Sequence, residues 1–391
     1  MAHAEIEPFR IAVPDDVLED LRRRLRSTRW PEPAPAPAWA QGTDLDELRA
    51  LCAYWIDGFD WRRVEAELNA IPQIVTLVDG QSIHALHVRS PEPDALPLVV
   101  HHGWPSTFAE FVKIVGPLSD PVAHGGRAED AFHVVCPSLA GYAFSGPPRE
   151  GGWTPHRMAG AAAELMARLG YERYGAHGGD WGAMITSQLG LVDASRVAGI
   201  HLNMVIAPPP TDGDPMAGLS DRERDLIAEM RARGRDEMGY QKIQSTRPQS
   251  VSVGLNDSPA GLAAWIVEKF RAWGDCVRPD GVRDVLHRFS RDELLTCITL
   301  YWVTGTIASA NRLYAETSRA GRGSSLPIER VPVPMGYARF PADGFTPPRA
   351  WVARLYDIHR WTVMPEGGHF PALEVPELLV ADLRAFFRPL R

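Results

Sequence analysis

The spacing of apolar and polar residues changes period three times along the 391-residue chain. Behind Pro14-Asp15-Asp16, a helix start signal, Val17, Leu18, Leu21 and Leu25 recur at helical spacing until Trp30-Pro31 closes the stretch. A Pro/Ala-rich connector, Pro31 to Pro37, leads to two further helical patterns, Leu45 to Ile56 and Trp61 to Leu68. Residues 1–72 therefore read as a helical arm or meander wrapped on a larger body. At Gln73 the period shortens: Ile74 to Val78, a turn at Asp79-Gly80 and Ile83 to Val88 predict a hairpin. Short apolar runs follow at Leu98 to His102, His133 to Cys136 and Tyr174 to His177, the last behind a helical stretch from Met158 to Leu169. Runs of this kind fill a sheet covered on both faces, and strand–helix alternation predicts a mostly parallel one. Between 212 and 330 strand signals nearly vanish, with helical patterns at Asp221 to Arg233, Leu262 to Trp273 and Asp292 to Tyr314. Val331 to Tyr337 and Trp361 to Met364 restore the strands, and Pro376 to Phe387 reads as a closing amphipathic helix. The expected order is an arm (1–72), a first core part (73–211), an inserted helical cap or lid (212–330) and a second core part (331–391).

Composition narrows the function classes. Apolar residues make up 45% and charged residues 23% of the chain, an ordinary globular balance with a sizeable core. A formal charge of −8 argues against a nucleic-acid partner, which needs clustered cations. Arg22-Arg23-Arg24 follows Asp15, Asp16, Glu19 and Asp20 on the same predicted helix and reads as a solvated face. Cys52, Cys136, Cys276 and Cys297 lie far apart with no C-x-x-C pair, as reduced cytoplasmic thiols would. Met1 to Arg10 lacks the apolar core of an export signal, and no run of ~18 apolar residues offers a membrane span. The expectation is a cytoplasmic protein with no membrane partner.

Three Gly-flanked turns carry candidate chemistry. Gly178-Gly179-Asp180-Trp181-Gly182 lies directly between an apolar strand and the helical Ala183-Met184-Ile185. Small residues around one reactive side chain at such a turn form a nucleophile elbow, here bearing a carboxylate that can attack an sp³ carbon and form an ester. The competing reading of Asp180 is a cap on the following helix. His101-His102-Gly103-Trp104-Pro105-Ser106 also follows a strand, where the elbow fold places a backbone N–H of an oxyanion hole; Trp104 and Trp181 are the candidate donors. Adjacent histidines on a strand point to opposite faces, which argues against a metal at His101 and His102. Glu366-Gly367-Gly368-His369-Phe370 follows the last strand and precedes the final helix, the place of the base in this fold's order of nucleophile, acid and histidine. His287 and His359 lack that setting. The acid belongs on the loop after Pro334 to Tyr337, where Asp343 is the first candidate and Asp357 the alternative.

These motifs belong to an α/β-hydrolase fold, and the chain resembles epoxide hydrolases of the microsomal and juvenile-hormone type, in particular their soluble bacterial members. The likeness runs through Phe9-Arg10-Ile11, Thr28-Arg29-Trp30-Pro31, Trp55 to Trp61, His102-Gly103-Trp104-Pro105, Pro137 to Ser145, the Asp180 elbow, Leu255 to Pro259 and the His369 loop. It implies conversion of an epoxide to a vicinal diol through an Asp180 ester, cleaved by water that His369 activates with Asp343 behind it. It also implies that Tyr240 and Tyr314, in the cap, donate protons to the epoxide oxygen. No cofactor and no metal is implied, the partner is a small epoxide, and a homodimer is left open. Some relatives serve antibiotic biosynthesis. The chain departs from the family in three ways: an N-terminal anchor is missing, Asp343 replaces the glutamate of the microsomal relative, and Ala140 and Ala143 replace Pro and Gly. Two rival readings use the same residues. A haloalkane dehalogenase would have Trp181 grip a halide, but commonly carries Asn at the place of Trp104 and has no use for the tyrosine pair. A catalytically inactive binding protein would have no reason to keep Asp180, Asp343 and His369 together.

Overall fold

The computed structural model describes residues 5–391, so the first four residues of the Met1 to Arg10 segment lie outside it. Among the described residues nine strands form one sheet: β1 (Glu7–Pro8), β2 (Gln73–Val78), β3 (Gln81–Val88), β4 (Leu96–His101), β5 (Phe132–Pro137), β6 (Tyr174–Gly178), β7 (Val197–Leu202), β8 (Val331–Arg339) and β9 (Tyr356–Val363). Their order is β1-β2-β3-β5-β4-β6-β7-β8-β9. The hairpin edge pairs antiparallel, and every pairing from β5 through β9 is parallel. Asp79 and Gly80 both take positive φ, the geometry of a tight hairpin turn. Leu98, Val99, Val100, Val134, Val135 and Cys136 are fully buried, because helices such as Pro155–Arg168, Asp180–Val192 and Pro376–Phe387 cover the sheet. This is the α/β-hydrolase fold expected from the alternation of strands and helices.

Between β7 and β8 the regular elements are helices, among them Asp221–Glu237, Gly239–Thr246, Pro259–Trp273, Arg291–Thr304 and Ile307–Ala320. The chain before β2 carries helices Asp15–Arg26, Leu45–Asp57 and Trp61–Asn69. It grips the cap: Arg24 bonds to Asp257, the Tyr54 hydroxyl donates to Asp292 at 2.7 Å, and the Thr43 hydroxyl donates to the Ala264 carbonyl at 2.7 Å.

Four details differ from the sequence pattern. β7 is not predicted by it, because Val197-Ala-Gly-Ile-His-Leu202 is wholly buried and so shows no alternation, while Gly and His dilute its strand signal. The arm is not helical throughout, since Glu7–Pro8 adds a strand to the β2 edge. The stretch from Asp292 to Tyr314 is two helices, broken where Gly305 turns left-handed at φ 63° and caps the first. β9 begins five residues before Trp361 and absorbs Asp357, the alternative acid, into the sheet.

The turn after β4 lies directly against the elbow helix: a Cβ on Gly182 would sit 2.0 Å from the His101 carbonyl oxygen. Backbone cannot yield there, so Gly182→Ala should lower stability on the order of 3 kcal/mol by urea titration. Gly160, exposed in helix Pro155–Arg168 with nothing near its missing Cβ, provides the control. Gly160→Ala should be neutral or stabilising by about 0.5–1 kcal/mol. Equal effects at the two positions would contradict this account of the elbow contact.

Candidate active site

The C-terminal ends of β4, β6, β8 and β9 meet at one end of the sheet, where an open α/β sheet keeps its binding crevice. β6 delivers Asp180 as the first residue of helix Asp180–Val192, at φ 48°. A left-handed aspartate costs on the order of 1–3 kcal/mol, and it is held because Gly103 allows the neighbouring turn to touch it: a Cβ there would lie 2.3 Å from Asp180 Oδ1. The same turn presents the Trp104 N–H, which donates to Asp180 Oδ1 at 2.8 Å. Trp181 is the second residue of the helix, so its N–H has no intrahelical acceptor. Asp180 Oδ2 faces His369 Nε2 at 3.5 Å, and His369 Nδ1 lies 3.5 Å from Asp343 Oδ1. Asp343 sits on the loop after β8, buried, and also accepts the Phe345 N–H at 3.2 Å. Burial works against a charge on His369. The carboxylates of Asp343 and Asp180 outweigh it and hold the imidazole up at about 10, so it is imidazolium at neutral pH.

The cap closes over this line with aromatic rings. Tyr240, from helix Gly239–Thr246, stacks on Trp104 with centroids 4.9 Å apart and planes 6° apart. Tyr314, from helix Ile307–Ala320, meets Trp181 edge-on at 4.7 Å and Tyr240 at 5.8 Å. Burial, then the charge of Asp180 among other groups, raises the Tyr240 phenol well above its ordinary range; burial followed by Tyr240 and Asp180 does the same for Tyr314. Both are therefore neutral donors, and the two phenols interact with each other through their hydroxyls. A cavity of about 580 Å³ opens beside them, lined by Met238, Tyr240, Trp273, Asp343, Phe345 and His369.

The structure thus brings together Asp180, His369, Asp343, Tyr240, Tyr314, Trp104 and Trp181. It leaves the alternatives elsewhere. Asp357 is partly exposed on β9 and pairs with Arg330 at 3.0 Å and His359 at 2.8 Å. His287 is exposed on a short turn of 3₁₀ helix. His101 bonds Thr186 at 3.0 Å while His102 bonds the Gly103 carbonyl and Leu139 N–H, and burial lowers the two imidazoles to about 3 and about 4. Tyr301 is committed to the Ser106 carbonyl at 2.9 Å. Two carboxyl groups near His369 escaped the sequence reading. Glu110 accepts from the Ser106 hydroxyl, and Glu374 accepts the Phe370 N–H at 2.8 Å; burial foremost lifts each to about 7. The only sequence trace of the first is a Ser–Glu pair four residues apart just after the Trp104 turn.

Residues 6–111 match a family described as "Epoxide hydrolase N terminus" and residues 97–232 one described as "alpha/beta hydrolase fold". A Stigmatella aurantiaca protein provisionally named an epoxide hydrolase is 45% identical over 99% of this chain and 86% of its own length. Epoxide hydrolase 1 of Sus scrofa is 37% identical over 97% of this chain and 88% of its own. This chain belongs to the epoxide hydrolases. The solved Aspergillus niger epoxide hydrolase superposes on it with a TM-score of 0.87 at 32% identity, covering 99% of this chain and 97% of that one. Juvenile hormone epoxide hydrolase from Bombyx mori gives 0.89 at 28% identity, covering 99% and 95%. Full-length kinship to these enzymes sets aside the dehalogenase and inactive-protein readings. No helix among the described residues of this epoxide hydrolase is long and apolar enough to cross a membrane.

If the epoxide hydrolase site shares charge as its distances indicate, removing one anion must make the neutral imidazole easier to form. Asp180→Asn should therefore move the His369 titration down from about 10, read by NMR of the ring nitrogens. An unchanged midpoint would mean the two side chains do not interact in solution.

Proposed function

We propose that this epoxide hydrolase opens its substrate through a covalent ester of Asp180. The observation that carries the reading is the unbroken line from the Trp104 N–H through Asp180 and His369 to Asp343, faced by two buried, neutral phenols. Oδ1 is already held by Trp104, so Oδ2 is the oxygen that attacks an epoxide carbon. As that C–O bond breaks, Tyr240 or Tyr314 gives its proton to the departing oxygen, because an alkoxide is too basic to leave unassisted. The product is a hydroxyalkyl ester of Asp180 and one phenolate.

Ester formation itself prepares the second step. With the Asp180 charge gone, one of the two anions holding a proton on His369 disappears; the imidazolium gives that proton to the phenolate by way of solvent, and the neutral imidazole becomes available as base. It takes a proton from water as the water oxygen attacks the ester carbonyl. Oδ1, now the oxyanion, stays on the Trp104 N–H with the Trp181 N–H and the helix N-terminus beside it. Collapse expels the diol oxygen, which recovers the proton from His369, and the new Asp180 carboxyl gives its proton to the imidazole, restoring the starting ion pair. Asp343 orients the imidazole and balances its charge. Asp343 fills the acid's place from the loop after β8 although it is one methylene shorter than glutamate. The apolar lining of the 580 Å³ cavity, with Met238, Trp273 and Phe345, supports an apolar epoxide as substrate and the helical insertion as its cap.

The two half-reactions separate the roles. His369→Gln should accumulate enzyme carrying one added substrate mass on the peptide containing Asp180. Asp343→Asn should slow ester hydrolysis by on the order of 10²–10⁴-fold while alkylation survives. Absence of any adduct under single-turnover conditions would remove the ester from the scheme, and normal turnover in Asp343→Asn would remove the acid. Tyr240→Phe and Tyr314→Phe should act on the other half. Each should slow alkylation, and the double variant should nearly abolish it, because one remaining phenol still protonates the opening ring. Unchanged pre-steady-state alkylation in both single variants would exclude the cap donors.

A further inference from the structure

Lysine is among the side chains least often buried, because an ammonium withdrawn from water needs other charges or dipoles around it. Lys269, on helix Pro259–Trp273, is only 6% exposed. Its Nζ lies over the Tyr240 ring, 5.0 Å from the centroid, and over the Trp273 ring at 5.7 Å. Both distances fall within the reach of a cation–π contact. Glu268 stands 2.5 Å and Glu237 3.8 Å from the same ammonium. These two carboxylates, like Asp180, work against a negative charge on Tyr240, and Lys269 is the cation set among them. The contact between the two phenol hydroxyls favours the charged form of Tyr240 and disfavours that of Tyr314. Among the described residues no cation stands over the Tyr314 ring. The two phenols are therefore unequal in their surroundings although both face Asp180.

We propose that Lys269 acts through Tyr240: its buried ammonium stabilises the phenolate that ring opening leaves there, so that Tyr240 gives up its proton while Tyr314 holds the epoxide oxygen in place. The proposal rests on the reading of the two tyrosines as proton donors given above. In the step, Asp180 Oδ2 bonds to an epoxide carbon, the C–O bond of the ring breaks, and the Tyr240 proton passes to the freed oxygen. Negative charge thereby moves from the carboxylate to the Tyr240 phenolate, where it stays until the His369 imidazolium returns a proton by way of solvent. A phenolate spreads its charge into the ring, so a cation over that ring attracts it more strongly than it attracts the neutral phenol. An interaction that strengthens as the charge develops lowers the barrier of that step. Lys269 is thus a positioning residue for charge, with no contact to the epoxide required of it.

Single-turnover kinetics on the full chain, with styrene oxide as the probe, separate the two steps. Lys269→Met keeps an unbranched side chain without its charge; it should slow alkylation about 10-fold and leave ester hydrolysis near the wild-type rate. Lys269→Gln serves should Lys269→Met not fold. In the Tyr240→Phe background the same change should have no further effect on alkylation, because no phenolate forms at that ring. Tyr240→Phe alone should cost more than Tyr314→Phe. Lys269→Arg should keep part of the rate, and 3-fluorotyrosine in place of Tyr240, a more acidic phenol, should restore alkylation to Lys269→Met. Three results would overturn the proposal. If Lys269→Met alkylates at the wild-type rate while Tyr240→Phe is slow, the donor reading stands and Lys269 has no part in the step. If Lys269→Met slows alkylation equally with and without the Tyr240 hydroxyl, Lys269 only packs the insertion. If neither tyrosine change slows alkylation, this proposal and the donor reading fall together.

Discussion

A carboxylate that is to attack carbon, the role proposed for Asp180, has to be ionised and poorly solvated at once, and moving such a group out of water is costly unless other groups replace the water. The geometry at the end of β6 supplies that replacement. The Trp104 N–H binds one oxygen, the start of helix Asp180–Val192 adds the positive end of its dipole, and the His369 imidazolium stands 3.5 Å from the other oxygen. Each of these imposes a demand on backbone some distance away. The Trp104 amide reaches Asp180 because Gly103 and Gly182 let the β4 turn and the elbow approach within a side chain's breadth. The imidazolium persists against its own burial because Asp343, on the loop after β8, supports it from behind. The convergence of four parallel strand ends is thus the condition for keeping one partly buried charge.

The parts of this arrangement that are periodic or flanked by glycine are legible in the sequence. Asp180 and His369 stand out because a side chain thrust from a tight turn needs small neighbours, and the helical insertion stands out because strand alternation stops. The acid is less legible. Asp343 and Asp357 compete as long as β9 is read to begin at Trp361, and only the longer strand, starting at Tyr356, turns Asp357 into a partly exposed sheet residue paired with Arg330. β7 escapes notice for a related reason, since a strand buried on both faces carries no alternation and its glycine and histidine are poor strand formers. Tyr240 and Tyr314 owe nothing to spacing; resemblance to a family located them. Glu110 is not legible because what marks it is burial beside Ser106 close to His369, which no local pattern encodes.

The arm and the cap have a joint purpose in this frame. The helical insertion carries the two phenols, while Asp180, His369 and Asp343 all belong to the core. Tyr240 and Tyr314 reach their places by ring contacts with Trp104 and Trp181, which hang from the same turn and elbow that hold Asp180. Single surface ion pairs contribute only about 0–1 kcal/mol. The bonds from Arg24, Thr43 and Tyr54 of the arm to the cap therefore seat it mainly by fixing direction. The antiparallel strand β1 ties the same arm to the sheet edge, so cap and core are referenced to each other through a third element.

That division assigns the two half-reactions different structural dependences. In the proposed cycle the first needs a phenol from the cap and an oxygen from the core to converge on one epoxide, so its rate follows how well the cap is seated. The second uses Asp180, His369, Asp343 and Trp104, all on core turns whose mutual positions are set by the sheet. A loosened cap would therefore cost alkylation before it cost hydrolysis.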